Sequence, residues 1–276
     1  MTGEDIRDSL GGVMAAAILV TGGTGTLGRQ VVPRLREAGR DVRVLSRSER
    51  KPAGGVEYVT GDLFRDEGIG AALDGIETVL HLAGGNKGDD VVARNLVRAA
   101  SRAGVRHLVL ISVIGADSVP LAWLRSQLEV ERAVEGSGVP YTILRAAQFH
   151  DLVFKVVQGM AKSPVVPVPG GLRFQPVDAR DVAERLVELA LGEPAGRVPD
   201  LAGPQVFPIG TLIRGYLKAS GKRRATMPVR IPGKAGRAYR AGDNLSVEGA
   251  DQGKRTWEDF QAEQLGHPAP APAAAG

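Results

Sequence analysis

Near its start the chain carries an unbroken apolar run, residues 16–21 (AAILVT), closed by Gly22 and Gly23. A run of this kind predicts a strand buried on both faces of a parallel sheet. Residues 27–38 space their apolar positions as a helix does and stop at Gly39. Residues 41–46 (DVRVLS) alternate and predict a second strand, and 56–60 predict a third, followed by Gly61-Asp62-Leu63. A helix is expected around 69–73, then a fourth strand at 78–82 (TVLHL) running into Ala83-Gly84-Gly85. Over 89–103, Val91, Val92, Leu96 and Ala99 share one helical face. A fifth strand at 107–112 (HLVLIS), a long helix at 121–137 and a sixth strand at 141–144 (YTIL) complete the series. Strands alternating with helices at this spacing pair in parallel through right-handed crossovers, so the expected class is α/β with a doubly wound parallel sheet.

Beyond residue 150 the pattern loosens. Residues 164–169 are too rich in proline for a central strand. A helix is expected within 177–191, running through Ala183, Leu186, Val187 and Ala190, and another over 210–220. Residues 223–243 are basic and glycine-rich and are expected to form a loop or lid. Thr256, with Asp259 three residues on, has the spacing of a capping box opening a helix over 256–264. The expected organisation is an N-terminal extension over 1–14, a core over 15–150, a small C-terminal substrate lobe with the remaining sheet elements over 151–266, and a disordered Pro/Ala tail over 267–276.

Composition narrows the chemistry. The absence of cysteine excludes disulfides, thiolate nucleophiles and Cys-ligated metals. The 4 histidines show no metal-ligand spacing, so no metal is expected. A net charge of +4 with basic and acidic residues interspersed argues for an anionic small-molecule ligand and against nucleic acid. No apolar run reaches the ~20 residues of a membrane span, and the amino terminus is acidic where a secretory signal would be basic. A cytoplasmic monomer or homodimer is expected.

The segment Thr21 to Gly28 (TGGTGTLG) lies between the first strand and the first helix. It satisfies G-x-G-x-x-G through Gly23, Gly25 and Gly28, and the overlapping spacing through Gly22. Glycines there permit a tight turn and close approach of backbone to a pyrophosphate, while the helix N-terminus offers free N–H groups. The strand-turn-helix setting makes this a Rossmann-type dinucleotide site rather than a chance glycine cluster. The second strand ends in Ser46-Arg47-Ser48 where an NAD-preferring fold puts an acid. Arg47, with Arg50 and Lys51 nearby, is suited to a 2′-phosphate, which favours NADPH (NADP+) over NADH.

These residues, with Gly61-Asp62-Leu63, His81-Leu82-Ala83-Gly84, Leu110-Ile111-Ser112, Tyr141 to Arg145 (YTILR), Pro176-Val177-Asp178 and Asp181-Val182-Ala183, resemble the atypical short-chain dehydrogenase/reductases, and among them the NmrA-like NAD(P)H-binding group. The resemblance implies cofactor contacts from Gly22, Thr24, Gly25, Thr26, Leu27 and Gly28. It places Asp62 and Leu63 by the adenine and Leu82, Ala83 and Gly84 along the cofactor. Ser112 would lie near the nicotinamide, and Ala146, Ala147, Gln148 and Phe149 at its amide end.

The chain departs from the wider superfamily at one place. The Tyr-x-x-x-Lys pair, whose Tyr donates a proton while its Lys lowers the Tyr pKa and holds the ribose, is replaced by Trp123 and Gln127. Trp cannot be that acid, and Gln keeps only a hydrogen bond to ribose or amide. The catalytic candidates are then Ser112, Trp123 as a substrate platform, Gln127, and His150 as an alternative proton donor. The function expected is an NADPH-dependent reductase of a small conjugated acceptor such as a quinone or enone. The alternatives are a non-catalytic redox sensor and a fold turned to non-redox chemistry.

Overall fold

The computed structural model describes residues 17–85 and 87–266; the extension expected over 1–14 and the tail over 267–276 lie outside them. The sheet is built from β1 (Ile18–Thr21), β2 (Val42–Ser46), β3 (Val56–Thr60), β4 (Thr78–His81), β5 (His107–Val113) and β6 (Tyr141–Ala146). All four residues of β1 are buried, as its two-sided apolar run requires. It sits between β2 and β4, with Ile18 opposite both Val42 and Thr78, and every pairing in this sheet is parallel.

Helix α1 (Gly28–Glu37) follows β1. Helices α2 (Ile69–Leu73), α3 (Asp89–Arg102) and α4 (Ala122–Glu135) fill the later crossovers. Val31 and Leu35 of α1 share a core with the sheet's first face, while Leu96 of α3 and Val130 of α4 pack on the second. The order β3-β2-β1-β4-β5-β6 reverses direction between β1 and β4. A crevice therefore opens there, at the carboxyl ends of the strands, where open α/β sheets take their ligands.

The second half of the chain both extends and roofs this sheet. It contributes α5 (His150–Met160), β7 (Val165–Pro169), β8 (Arg173–Phe174), α6 (Ala179–Leu191), β9 (Gly196–Arg197), β10 (Leu201–Ala202), β11 (Phe207–Pro208), α7 (Ile209–Ala219), β12 (Ala225–Val229), α8 (Gly233–Ala241), β13 (Asp251–Gln252) and α9 (Trp257–Leu265). Strand β9 pairs with β6, and β10 and β13 continue the sheet beyond β6, while α6 packs beside α1. A separate apolar core joins α5, α7 and α9 through Phe154, Leu212, Tyr216, Trp257 and Phe260.

Two outcomes differ from the sequence expectation. Helix α5 is not among the expected elements: Leu152 and Val156 interrupt the outward face that carries Lys155 and Gln158, which blurs the period, while Val153, Phe154 and Val157 point in. Residues 223–243 are not a loop: β12 pairs in parallel with β7, and α8 follows. Its Gly236 lies so close to the Ile231 carbonyl that no Cβ would fit. The proline-rich β7 is a strand, but in a two-stranded side sheet, where missing N–H donors are tolerated. The expected capping box is present, with Thr256 accepting from the Asp259 N–H and the Asp259 carboxylate accepting in return.

Candidate cofactor and substrate site

The glycines of the first turn divide by what their missing side chains would touch. A Cβ on Gly22, whose φ is +70°, would meet the Leu82–Ala83 peptide at 2.6 Å. One on Gly28 would meet the Gly22 and Gly23 backbone. These two let α1, the turn and β4 close on one another. Gly25 differs: its Cβ would find only the Gly22 carbonyl, at 3.3 Å, and otherwise faces open space beside exposed Thr26. Helix α1 has no capping side chain and no acid in its first turn. Its ladder begins with the Arg29 N–H donating to the Gly25 carbonyl, so the Thr26, Leu27 and Gly28 N–H groups have no backbone acceptor among the described residues. Arg29 Nε steadies the loop by donating to the Thr24 carbonyl at 3.0 Å. An open cradle ringed by free donors fits a pyrophosphate.

Two further pairs hold the crevice walls. Thr21 Oγ1 accepts from the Ala83 N–H and lies 2.6 Å from His81 Nδ1, tying the ends of β1 and β4 together. Burial lowers the His81 pKa to about 4, so its ring is neutral. After β4, the Asp89 carboxylate accepts from the Gly85 N–H and from Gln127 Nε2, both at 2.8 Å. Burial pushes the Asp89 carboxyl up, and those two bonds offset it only in part. Gln127 thus clasps α4 to α3. Neither Asp89 nor His81 carried a sequence signal for this role, since each partner lies on another element.

The Ser112 expectation needs correction. Its hydroxyl is buried and donates to Glu131 Oε1. Glu131 in turn takes a two-pronged contact from Arg145, Nε at 2.8 Å and Nη2 at 2.7 Å, and Arg145 Nη1 donates to Asp117 at 2.7 Å. Both side chains of the Glu131–Arg145 pair are only 3% exposed. Ser112 therefore belongs to a buried ionic network that braces β5, β6 and α4. It is not a hydroxyl free to act on substrate. Trp123, the second residue of α4, is 42% exposed, which leaves its ring available as a platform.

His150 is a second correction. It is fully buried, its ring packed 5.2 Å from Phe260 and 5.6 Å from Trp257. Nε2 lies 3.0 Å from the Pro176 carbonyl, and Nδ1 is 3.8 Å from Asp178. Asp178 caps α6 and is bound by Arg180 and Arg255. His150 thus points into the packing of the lobe and away from any substrate, and it is withdrawn as a proton donor.

At the end of β6, Ala146 and Ala147 are buried and Gln148 and Phe149 half-buried. Gln148 Oε1 is buried with no partner, an unused acceptor suited to a carboxamide N–H. Arg47 is exposed, with no side-chain bond or ion pair among the described residues. Its neighbours Ser46 and Ser48 form a local turn, Ser46 Oγ donating to the Ser48 carbonyl at 2.8 Å. Asp62 Oδ1 accepts the N–H groups of Phe64 and Arg65, shaping the loop after β3, and Leu63 sits in the core. Phe64, which sequence reasoning missed, is 57% exposed and lies against Gly88. Leu82, Ala83 and Gly84 line the switch point, half-buried or exposed. Among the described residues no His, Asp or Glu cluster is able to hold a metal ion. None of their helices is long and apolar enough to cross a membrane.

Comparison with known proteins agrees with this geometry. Residues 22–191 match a family described as NAD(P)H-binding. The chain is 35% identical over 197 residues, 69% of each protein, to a (4-alkanoyl-5-oxo-2,5-dihydrofuran-3-yl)methyl phosphate reductase of Streptomyces griseus. It is 32% identical to an NAD(P)H azoreductase of Xenophilus azovorans, covering 75% of this chain and 74% of that one. The fold superposes on an NADPH-dependent quinone oxidoreductase of Escherichia coli complexed with NADPH, with TM-score 0.73, 21% identity and 92% and 96% of the two chains covered.

Proposed function

The chain belongs to the NAD(P)H-binding family, and from that premise we propose that it is an NADPH-dependent reductase of small conjugated acceptors. The observation that carries this reading is the open cradle at Gly25, with uncapped α1 donors facing it at the sheet's switch point. When bound, the nicotinamide supplies a hydride. Free Arg47 favours the 2′-phosphate of NADPH over the bare ribose of NADH, because an unpaired guanidinium gains a charge-assisted contact there. Gln148 Oε1 is an acceptor placed to orient the carboxamide, and Gln127, held by Asp89, borders the ribose side.

Among the described residues none of the candidate proton donors stands free to protonate a product: Ser112 is bonded to Glu131, His150 is buried, and Trp123 has no proton to give at neutral pH. That chemistry suits acceptors whose reduced form takes its proton from water, as quinones, azo compounds and activated alkenes do. The relatives' own acceptors, a furanone phosphate, an azo group and a quinone, fall in this class. Trp123 offers a flat apolar surface for such a ring, at the end of β5.

The test is purified protein with NADPH and a panel of quinones, azo dyes, enones and simple aldehydes. Turnover of conjugated acceptors and not of aldehydes is expected. Tight NADPH binding with no oxidation across the panel would refute the reductase reading and favour a sensor. Replacing Trp123 by Ala should raise KM for a naphthoquinone more than it lowers kcat.

A further inference from the structure

Between Asp200 and Asp243 the chain has no acidic residue and nine Lys and Arg, although the whole chain carries a net charge of only +4. None of the nine forms an ion pair among the described residues. Elsewhere in the fold many arginines are neutralised, as Arg43 is by Glu57, Arg98 by Asp66 and Arg180 by Asp178 and Glu263. Arg230, Lys234 and Arg237 are exposed and make no side-chain hydrogen bond among the described residues. Lys234 and Arg237 are three residues apart on one face of α8. Like charges left together without partners repel, so retaining them calls for an anion to offset that repulsion.

The location says which anion. Ala238 of α8 packs with Val113 and Leu124, one residue beyond Ser112 and Trp123. The loop after α8 is fixed to the loop after β5, where Ser118 Oγ donates to the Asp243 carbonyl at 3.0 Å. Asn244 is fully buried and donates to the Arg173 carbonyl. Helix α8 is therefore clamped over the carboxyl end of β5 beside the Trp123 platform. The Gly22–Gly28 turn belongs to β1 and α1, on the other side of β4.

We propose that the unpaired basic face of α8, with Arg230, binds an anionic group, a phosphate or carboxylate, on the substrate itself, distal to its reducible conjugated part. The positive field concentrates such substrates at the crevice and sets their orientation on Trp123. This deepens the reductase reading and rests on it for the turnover measurement.

The experiment compares menadione, which is neutral, with 1,2-naphthoquinone-4-sulfonate, which is anionic, in the wild type and in Lys234→Glu/Arg237→Glu. The ratio of kcat/KM for the anionic to the neutral quinone is expected to fall about tenfold or more in the variant. In the wild type it is also expected to shrink as salt is raised. The same charge change at Arg102 and Arg106, at the opposite end of β5, should leave the ratio unmoved. An unchanged ratio in the α8 variant overturns the proposal. A loss of NADPH affinity in its place also overturns it, since the segment would then read the cofactor. If no quinone is reduced at all, the reductase reading fails, and titration of 2-naphthyl phosphate into the NADPH-loaded protein decides the anion site separately. Weaker binding by tenfold in the variant supports the proposal, and equal binding in both proteins overturns it. Preferential capture of an RNA oligomer over naphthyl phosphate also overturns it.

Discussion

Substituting valine for Gly25 separates cofactor binding from folding more cleanly than any other change in the turn. Gly25 has no left-handed φ, so a side chain there meets no backbone penalty of that kind. Its Cβ would lie 3.3 Å from the Gly22 carbonyl, a contact relieved by a shift of a few tenths of an ångström, and would otherwise project into open space. The cost to the free protein should be no more than ~1 kcal/mol, typical of a surface substitution with mild crowding. The same branch fills the volume a pyrophosphate needs and holds it off the Thr26, Leu27 and Gly28 N–H groups. Each charge-assisted hydrogen bond so lost is worth about 1.5–3 kcal/mol. Losing even one predicts a roughly ten- to hundredfold weaker Kd for NADPH. Gly28→Ala is the contrasting case, because its methyl would collide with the Gly22 and Gly23 backbone and should lower Tm whether or not cofactor is present. Calorimetric titration with NADPH and thermal melts of the free proteins read both effects. A folded Gly25→Val protein with wild-type affinity would refute the assignment of the turn as the phosphate cradle.

Arg47→Ala should weaken NADPH by roughly tenfold to a hundredfold and leave NADH nearly unchanged, as fluorescence titration with both cofactors would reveal; equal losses would mean that Arg47 does not contact the 2′-phosphate. Burial lowers the His81 pKa from 6.5 to about 4, so the unfolded chain binds more protons between those values. Stability is then full above pH 6.5 and falls by ~3 kcal/mol as pH drops to about 4. Urea titrations across that window should show the slope, with His107, also lowered by burial, adding in the same sense. The slope should flatten in His81→Gln. Glu131→Ala strands Arg145 in the interior and should cost about 3–5 kcal/mol in chemical denaturation, whereas Ser112→Ala should change kcat for a quinone little. A large kcat loss in Ser112→Ala at unchanged stability would restore Ser112 to the chemistry.

The sheet and the glycine turn were legible in the chain because both are local. Buried parallel strands write continuous apolar runs, helices write a 3.6-residue period, and a glycine turn between them marks the strand end. Hence the first six strands and α1 to α4 fall within a residue or two of expectation, and the glycine turn lies between β1 and α1. Trp123 and Gln127, four residues apart on α4 at the spacing of a Tyr/Lys pair, were also visible, since that is a matter of residue identity at a fixed helical spacing. Periodicity has nothing to say about two-residue strands such as β9 and β10, which exist through pairing alone. It says little about α5, whose outward face mixes Leu152 and Val156 with Lys155 and Gln158, and about β12, which is held by the backbone bonds of β7. Side-chain duty was decided at longer range still. Ser112 met Glu131 and Arg145 across three elements, and His150 turned into Trp257 and Phe260 from a helix more than 100 residues away. The sequence carries the donors and acceptors, but a hydrogen bond needs ~3 Å, and only the tertiary packing chooses which groups come that close.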